Sequence, residues 1–145
     1  MNKVLILNGP NLNMLGAREP EVYGFETLAE VEAACAQKAN SLGIEIDFRQ
    51  TSSEAQLVDW IHEAFANKNA VIINPAALTH YSYSLRDACA MLQSVGLSLI
   101  EVHISNPHNR EAFRHNSVIS SVATGVIAGF GTNSYLLALE ALAHN

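Results

Sequence analysis

Basic residues are scarce in this sequence of 145 residues. Three lysines and five arginines stand against 14 acidic side chains, which gives a formal net charge of −6 at pH 7. Proteins that bind nucleic acids usually present a basic face, so we expect no nucleic-acid partner. Charged residues of both signs make up only 15 % of the chain. A small domain with so few charges is expected to cover part of its surface in contacts between subunits.

Cysteines and long apolar runs are also scarce. The two cysteines, Cys35 and Cys89, both fall in apolar helical patterns, which predicts buried thiols in a reducing compartment. No apolar run approaches the ~18 residues of a membrane span, and the first residues resemble a strand rather than a signal peptide. We therefore expect a cytoplasmic protein without a membrane partner.

Several catalytic signatures are missing as well. The sequence has no cluster with metal-ligand spacing, no glycine-rich dinucleotide fingerprint and no serine in a nucleophile elbow. None of its lysines (Lys3, Lys38 and Lys68) lies in a motif at the end of an apolar run, so a Schiff base has no candidate. We therefore expect a reaction that uses neither a metal nor an organic cofactor.

Five short apolar runs alternate with helical patterns. The runs cover residues 4–7, 44–48, 70–73, 97–104 and 125–129, and the helical patterns cover residues 28–42, 57–65, 85–92, a short stretch after Pro107, and 135–142. Continuous apolar runs are typical of strands buried on both faces, and Thr27 with Glu30 predicts a capping box. The order predicts a flavodoxin-like α/β fold, with a doubly wound five-stranded parallel sheet in one domain, residues 1–145.

The loop after the first run is the first candidate for a site, because ligands bind beyond the carboxyl ends of the strands in such sheets. Residues 8–24 far exceed the usual ~2–6 residues of a connection between a strand and a helix. The loop carries Arg18 and Tyr23, with Gly16 and Gly24 as possible hinges. We predict a mobile loop that closes over a ligand.

Polar residues also follow the third run. Asn74 stands directly at its end, and His80, Ser84 and Asp87 follow with i, i+4 and i+7 spacing. These three side chains share one face if a helix begins near His80. Asn74 and this face are therefore candidates for ligand binding.

The fourth run contains polar residues within an apolar strand. Period-two alternation puts Glu101, His103 and Ser105 on one face, and buried polar groups are costly unless they are paired or functional. Arg110 and Arg114 follow with i, i+4 spacing, which predicts one side of a short helix. We expect His103 to be functional and the arginines to hold an anionic small molecule.

These groups indicate one type of chemistry. A tyrosine near arginines, together with a histidine, suits proton abstraction next to a carbonyl with the histidine as general acid. The positive charges of Arg18 and Arg110 would stabilise the phenolate form of Tyr23. The mechanism therefore requires these arginines as well as the tyrosine.

Several motifs together resemble those of type II 3-dehydroquinate dehydratases. The opening signature Asn-Gly-Pro-Asn-Leu-Asn-Met-Leu-Gly covers residues 8–16, and Arg18-Glu19-Pro20 and Tyr23-Gly24 follow in the same loop. Residues 73–75, 79–80, 85–88, 101–106, 113–115 and 125–131 also resemble the family in register. The similarity spans nearly the whole chain.

The resemblance implies a flavodoxin-like fold and a homododecamer assembled as a tetramer of trimers. It also implies the dehydration of 3-dehydroquinate to 3-dehydroshikimate in the shikimate pathway of aromatic amino acid biosynthesis. The family's reaction is a trans elimination through an enolate, without a metal or a covalent imine.

The resemblance assigns roles residue by residue. Tyr23 resembles the base that takes the C2 proton, His103 the acid that protonates the departing hydroxyl, and Arg18 the stabiliser of the transition state on the lid. The other matches would hold the intermediate and its water (Asn11, Asn74), the substrate carboxylate (Ile104, Ser105) and the ring hydroxyls (His80, Arg114 and, from a neighbouring subunit, Asp87), with Glu101 and Arg110 in support.

Two segments depart from the family pattern. Residues 50–55 read Gln-Thr-Ser-Ser-Glu-Ala, with Ser52 where asparagine is usual and Ala55 where glycine is usual. After the third run, Ala76 stands where glycine is common and Leu78 where an aromatic residue is common. None of these positions carries the acid or the base.

Two other hypotheses remain open. A flavin-binding electron carrier of the same fold would need a hydroxyl-rich phosphate loop after the first strand, where this sequence has Asn-Gly-Pro-Asn. A homologue without catalytic activity would be expected to lose Tyr23, Arg18 or His103, and all three are present.

Overall fold

Five strands pair side by side into one parallel sheet. The computed structural model describes residues 3–144, with strands β1 Lys3–Asn8, β2 Glu45–Gln50, β3 Ala70–Asn74, β4 Leu99–His103 and β5 Gly125–Ala128. All pairings are parallel, and the strand order is β2-β1-β3-β4-β5. This is the flavodoxin-like order, so the predicted fold class is confirmed.

Helices connect the strands. They are α1 Pro20–Tyr23, α2 Leu28–Leu42, α3 Glu54–Asn67, α4 Tyr83–Ser94 and α5 Asn133–Ala143, with 3₁₀ helices at Leu12–Met14, Ala76–His80, Pro107–Asn109, Ala112–His115 and Ser120–Val122. Thr27 and Glu30 form the predicted capping box at the start of α2. No helix in residues 3–144 is long and apolar enough to cross a membrane.

The sheet is covered on both faces, which explains its continuous apolar strands. In β1, Val4 and Ile6 face a core built with α2 and α5, whereas Leu5 and Leu7 face a core built with α3 and α4. Cys35 lies in the first core and Cys89 in the second, both buried and free. Burial raises the pKa of each thiol to about 12, so both remain protonated at neutral pH.

The short helix predicted after Pro107 forms only as the three-residue 3₁₀ helix Pro107–Asn109. Two 3₁₀ turns occupy this segment, and Arg110 between them is extended, with φ −128° and ψ −161°. The side chain of Asn106 caps the first turn by accepting from the His108 amide at 3.1 Å. The Arg114 amide donates to the Glu111 carbonyl rather than to that of Arg110. Arg110 and Arg114 are therefore not on one face of a helix, contrary to the prediction.

Helix α4 begins too late in the chain to include His80, so His80 and Asp87 do not share a helical face. Ser82 is its N-cap residue, because the Ser82 hydroxyl accepts from the Leu85 amide at 3.1 Å. His80 lies in the preceding 3₁₀ helix. The predicted common helical face of His80, Ser84 and Asp87 is therefore wrong.

The ends of β1 and β3 approach each other closely. The Gly9 amide donates to the Asn74 carbonyl at 2.9 Å, and a Cβ atom on Gly9 would lie only 2.7 Å from the Pro75 carbonyl oxygen. A side chain at this position would push the two strand ends apart. Glycine thus allows the loops that follow β1 and β3 to lie side by side at the same edge of the sheet.

Candidate active site

A cleft lies at the carboxyl ends of β1, β3 and β4. The space it offers a ligand is small, about 70 Å³. Ten of the twelve candidate residues line it: Asn11, Arg18, Tyr23, Asn74, His80, His103, Ile104, Ser105, Arg110 and Arg114. The sheet therefore brings together side chains that are up to 103 positions apart in the sequence, from residue 11 to residue 114.

The long loop after β1 covers one side of the cleft. It contains the 3₁₀ helix Leu12–Met14 and the short helix α1, which presents Tyr23. Gly16 and Gly24 have φ angles of 92° and 82°, a region that glycine adopts without strain. These two glycines flank the segment that carries Arg18 and Tyr23.

Tyr23 is surrounded by two guanidinium groups. Arg110 Nη1 donates to the Tyr23 hydroxyl at 2.9 Å, and the Arg18 guanidinium lies 4.9 Å from the centroid of the Tyr23 ring. The same Arg110 nitrogen also donates to Ser105 Oγ at 3.2 Å. Positive charge so close to a phenol oxygen stabilises negative charge on that oxygen. The arrangement suits a tyrosine that gives and takes a proton.

His103 pairs with a buried glutamate on its own strand. His103 Nε2 lies 2.5 Å from Glu101 Oε2, and the Glu101 side chain is only 1 % exposed. Burial alone would raise the pKa of Glu101, but hydrogen bonds from His103, Ser120 and Thr79 outweigh it and hold that pKa below its ordinary value. Glu101 is therefore a carboxylate at neutral pH, and it fixes one nitrogen of His103.

His80 is partly buried and contacts Asn116, directly after the 3₁₀ helix Ala112–His115. Its Nδ1 lies 2.8 Å from the Asn116 carbonyl, so Nδ1 carries a hydrogen and donates it. Burial lowers the pKa of His80, although the bond to the carbonyl opposes this effect. At neutral pH the ring is therefore neutral, which leaves Nε2 as an acceptor.

Asn74 is held by a buried tyrosine of α5. Its Nδ2 donates to the Tyr135 hydroxyl at 2.9 Å, and that hydroxyl donates to Asn8 Oδ1 at 2.6 Å. Asn74 Oδ1 accepts from the Ala76 amide at 3.1 Å. One Nδ2 hydrogen of Asn74 is left for a ligand in the cleft.

Two candidate residues do not line the cleft. Glu101 lies behind His103, which agrees with a supporting role. The Asp87 side chain is 76 % exposed on α4 and pairs with Arg86 at 3.1 Å. Within one chain, Asp87 is therefore outside the site.

Sequence reasoning missed several polar groups that support the site. The hydroxyls of Thr79, Ser117 and Ser120 contact Glu101, and Tyr135 contacts Asn74. Residues 50–55, which depart from the family pattern, do not line the cleft. Ser52 and Ala55 are exposed near the start of α3. Residues 3–144 contain no group of three or more side chains placed to hold a metal ion.

Proton-transfer groups in a cleft lined by three arginines define the class of the protein: it is an α/β enzyme that acts on a small molecule. The profile of the family described as Dehydroquinase class II matches residues 2–143. The chain belongs to this family, as its sequence motifs predict.

Individual relatives agree with the family match. The chain is 57 % identical to 3-dehydroquinate dehydratase 2 of Pseudomonas aeruginosa, over 94 % of this chain and 90 % of that protein. It is 56 % identical to 3-dehydroquinate dehydratase of Dictyoglomus turgidum, over 98 % and 96 %. The crystal structure of type II dehydroquinase from Propionibacterium acnes superimposes with a TM-score of 0.95 at 45 % identity, and covers 99 % of this chain and 97 % of that one.

Proposed function

We propose that this chain dehydrates 3-dehydroquinate to 3-dehydroshikimate by trans elimination through an enolate. Relatives that share more than half of its residues bear the name of this activity. The observation that carries the mechanism is the pairing of two proton-transfer centres in one cleft, Tyr23 with Arg110 at 2.9 Å and His103 with Glu101 at 2.5 Å. Residues 1–145 act as one catalytic domain without a cofactor.

The first step is proton abstraction by Tyr23. Its phenolate takes the C2 proton, and the C2–H electron pair moves toward the C3 carbonyl, so that the carbonyl oxygen carries the enolate charge. Arg110 and Arg18 stabilise the phenolate before the transfer. Arg18 then stabilises the charge that develops in the transition state, and Asn11 and Asn74 hold the enolate and a bound water.

The second step is loss of the C1 hydroxyl. The enolate electrons form the C1–C2 double bond as the C1–O bond breaks, and His103 gives its proton to the departing oxygen, which leaves as water. Glu101 supports this step because a carboxylate at 2.5 Å favours the protonated imidazole. The proton taken by Tyr23 returns to solvent or to His103, which restores both groups.

Binding is divided along the cleft. The backbone amides of Ile104 and Ser105 and the Ser105 hydroxyl hold the substrate carboxylate, while His80 and Arg114 hold ring hydroxyls. Asp87 contributes from a neighbouring subunit, since it is exposed and remote from its own cleft. This requires a homo-oligomer, for which we propose a homododecamer assembled as a tetramer of trimers. In the cell the enzyme serves the shikimate pathway in the cytoplasm.

A direct assay tests the reaction. Purified protein is mixed with 3-dehydroquinate at neutral pH, and the absorbance of the conjugated enone is followed. We expect turnover that is unchanged by a metal chelator. Incubation with substrate and borohydride should leave the activity intact, because no imine forms. Absence of turnover, or inactivation by borohydride, would contradict the proposal.

A further inference from the structure

Glu101 is contacted by three hydroxyl groups that the mechanism above does not use. Thr79 Oγ1 lies 2.6 Å and Ser117 Oγ 2.9 Å from Glu101 Oε2, and Ser120 Oγ lies 2.6 Å from Oε1. We infer that these three hydroxyls, the hydroxyl cage, hold Glu101 as an oriented carboxylate and thereby position His103 for proton transfer. The catalytic effect of the cage rests on the proposed function, whereas the contacts of the three hydroxyls with Glu101 do not.

The hydrogens of the cage point to the carboxylate. Ser117 Oγ accepts from the amides of Ile119 and Ser120, each at 3.1 Å, so its one hydrogen is left to donate either to Glu101 or to Thr79 Oγ1 at 2.8 Å, whose own hydrogen bonds Glu101. Together with His103, Thr79 and Ser120 donate to this carboxylate, and Ser117 donates to it directly or through Thr79. Donors of this kind favour the ionised form of an acid, even though the side chain is almost fully buried.

The negative charge of Glu101 matters because the other charged or titratable groups around the Glu101–His103 pair do not replace it. Several titratable or charged side chains face the pair. The thiol of Cys89 lies on the protein side, and the others line the two cavities that border His103: Tyr23, Arg18, His80, Arg110, Arg114, His108 and His115. The arginines disfavour a proton on His103. In residues 3–144, Glu101 is the carboxylate that pairs with His103, so a weakened carboxylate leaves the acid without its counter-charge.

The cage comes from two places in the chain. Thr79 lies in the 3₁₀ helix after β3, whereas Ser117 and Ser120 lie in the connection between β4 and β5. That connection also supplies the Asn116 carbonyl for His80. A single segment, residues 116–120, therefore positions both histidines of the cleft, one directly and one through Glu101.

The test removes one hydroxyl outside the cleft. Ser120→Ala is expected to lower kcat about tenfold, because a hydrogen bond to a charged group is lost, while KM stays near the wild-type value, since Ser120 does not line the cleft. The limb of the kcat–pH profile that reports loss of the proton from the general acid should move to lower pH. A purely structural defect would not move that limb.

Matched variants separate the cage from general damage. Ser121→Ala changes the neighbouring serine, which is exposed, and should leave kcat and the pH profile unchanged. Thr79→Val removes a second cage hydroxyl at nearly constant volume and should act like Ser120→Ala. Thr79→Ser keeps the hydroxyl and should restore most of kcat. Circular dichroism and thermal unfolding confirm that each variant is folded.

A second measurement needs no substrate. The imidazole of His103 is titrated by ¹H–¹⁵N spectroscopy in the wild type and in Ser120→Ala, and its midpoint should shift to lower pH in the variant. If the wild type does not turn over 3-dehydroquinate but the midpoint shifts, the proposed function fails and the cage stands. If the wild type is active and Ser120→Ala and Thr79→Val keep its kcat, pH profile and His103 midpoint, the cage is refuted.

Discussion

Replacement of Arg110 by methionine tests the stabilisation of the Tyr23 phenolate. The change removes the 2.9 Å hydrogen bond from Nη1 to the Tyr23 hydroxyl and keeps a side chain of similar length. A hydrogen bond to a charged group contributes about 1.5–3 kcal/mol, and each ~1.4 kcal/mol is a factor of ten in rate. The Arg18 guanidinium remains 4.9 Å from the ring centroid and retains part of the effect. We therefore expect kcat/KM to fall about 10- to 100-fold at neutral pH.

The pH dependence of this variant distinguishes lost phenolate from lost packing. Activity of Arg110→Met should rise more steeply between neutral and alkaline pH than that of the wild type, because hydroxide then removes the phenol proton without help from Arg110. Enone formation is measured across this range, and Lys38→Met, which removes a positive charge on α2 far from the cleft, is the control. The reasoning is refuted if Arg110→Met retains kcat/KM within threefold of the wild type.

Three further changes address groups around the site. The lowered pKa of His80 means that the unfolded chain binds more protons than the folded one as the pH falls below about 6.5. In urea unfolding, the free energy of unfolding of the wild type should therefore fall more steeply from pH 7 to 5 than that of His80→Asn. Equal slopes of the free energy of unfolding against pH would contradict this. Tyr135→Phe removes the hydroxyl that accepts from Asn74 Nδ2 and donates to Asn8 Oδ1 and should lower the free energy of unfolding by about 1–3 kcal/mol. The control Tyr81→Phe, at an exposed residue, should not, and equal effects would refute the role of the Tyr135 hydroxyl. Ala76 has a φ of 54°, so Ala76→Gly should raise the free energy of unfolding by roughly 0.5–1 kcal/mol, and a loss of stability would show that the strain is not there.

The sheet and the location of the site were predictable from the sequence. Alternating apolar runs and helical patterns define the order of elements, and right-handed crossovers leave few topologies for that order. The carboxyl ends of the strands then meet at one edge, which brought Tyr23, Asn74 and His103 into one cleft. Period-two alternation in β4 likewise predicted that Glu101 and His103 face the same way.

The cage and the arginine positions were not predictable, because long-range contacts and local caps determine them. Ser117 and Ser120 lie in a polar stretch without periodicity, and their partner Glu101 is 16 and 19 positions earlier. Tyr135 belongs to the apolar pattern of α5, and only the fold shows that its hydroxyl contacts Asn74, 61 positions away. Arg110 appeared helical by spacing, but the connection between β4 and β5 breaks there into two 3₁₀ turns.

Asp87 presents a different limit. Its place on an exposed face of α4 follows from the helical pattern, yet a single chain gives it no route to its own cleft. The proposed contribution from a neighbouring subunit depends on contacts between surfaces, which sequence periodicity within one chain does not encode.

Turnover of 3-dehydroquinate by the wild type and by Tyr23→Phe tests the central claim most directly. The substitution removes only the oxygen that accepts the Arg110 hydrogen bond at 2.9 Å, so the fold and substrate binding should persist. Enone formation should be rapid for the wild type and should fall by at least about 100-fold for Tyr23→Phe, in the range that general base catalysis contributes. A folded Tyr23→Phe variant with near wild-type kcat would show that Tyr23 is not the base.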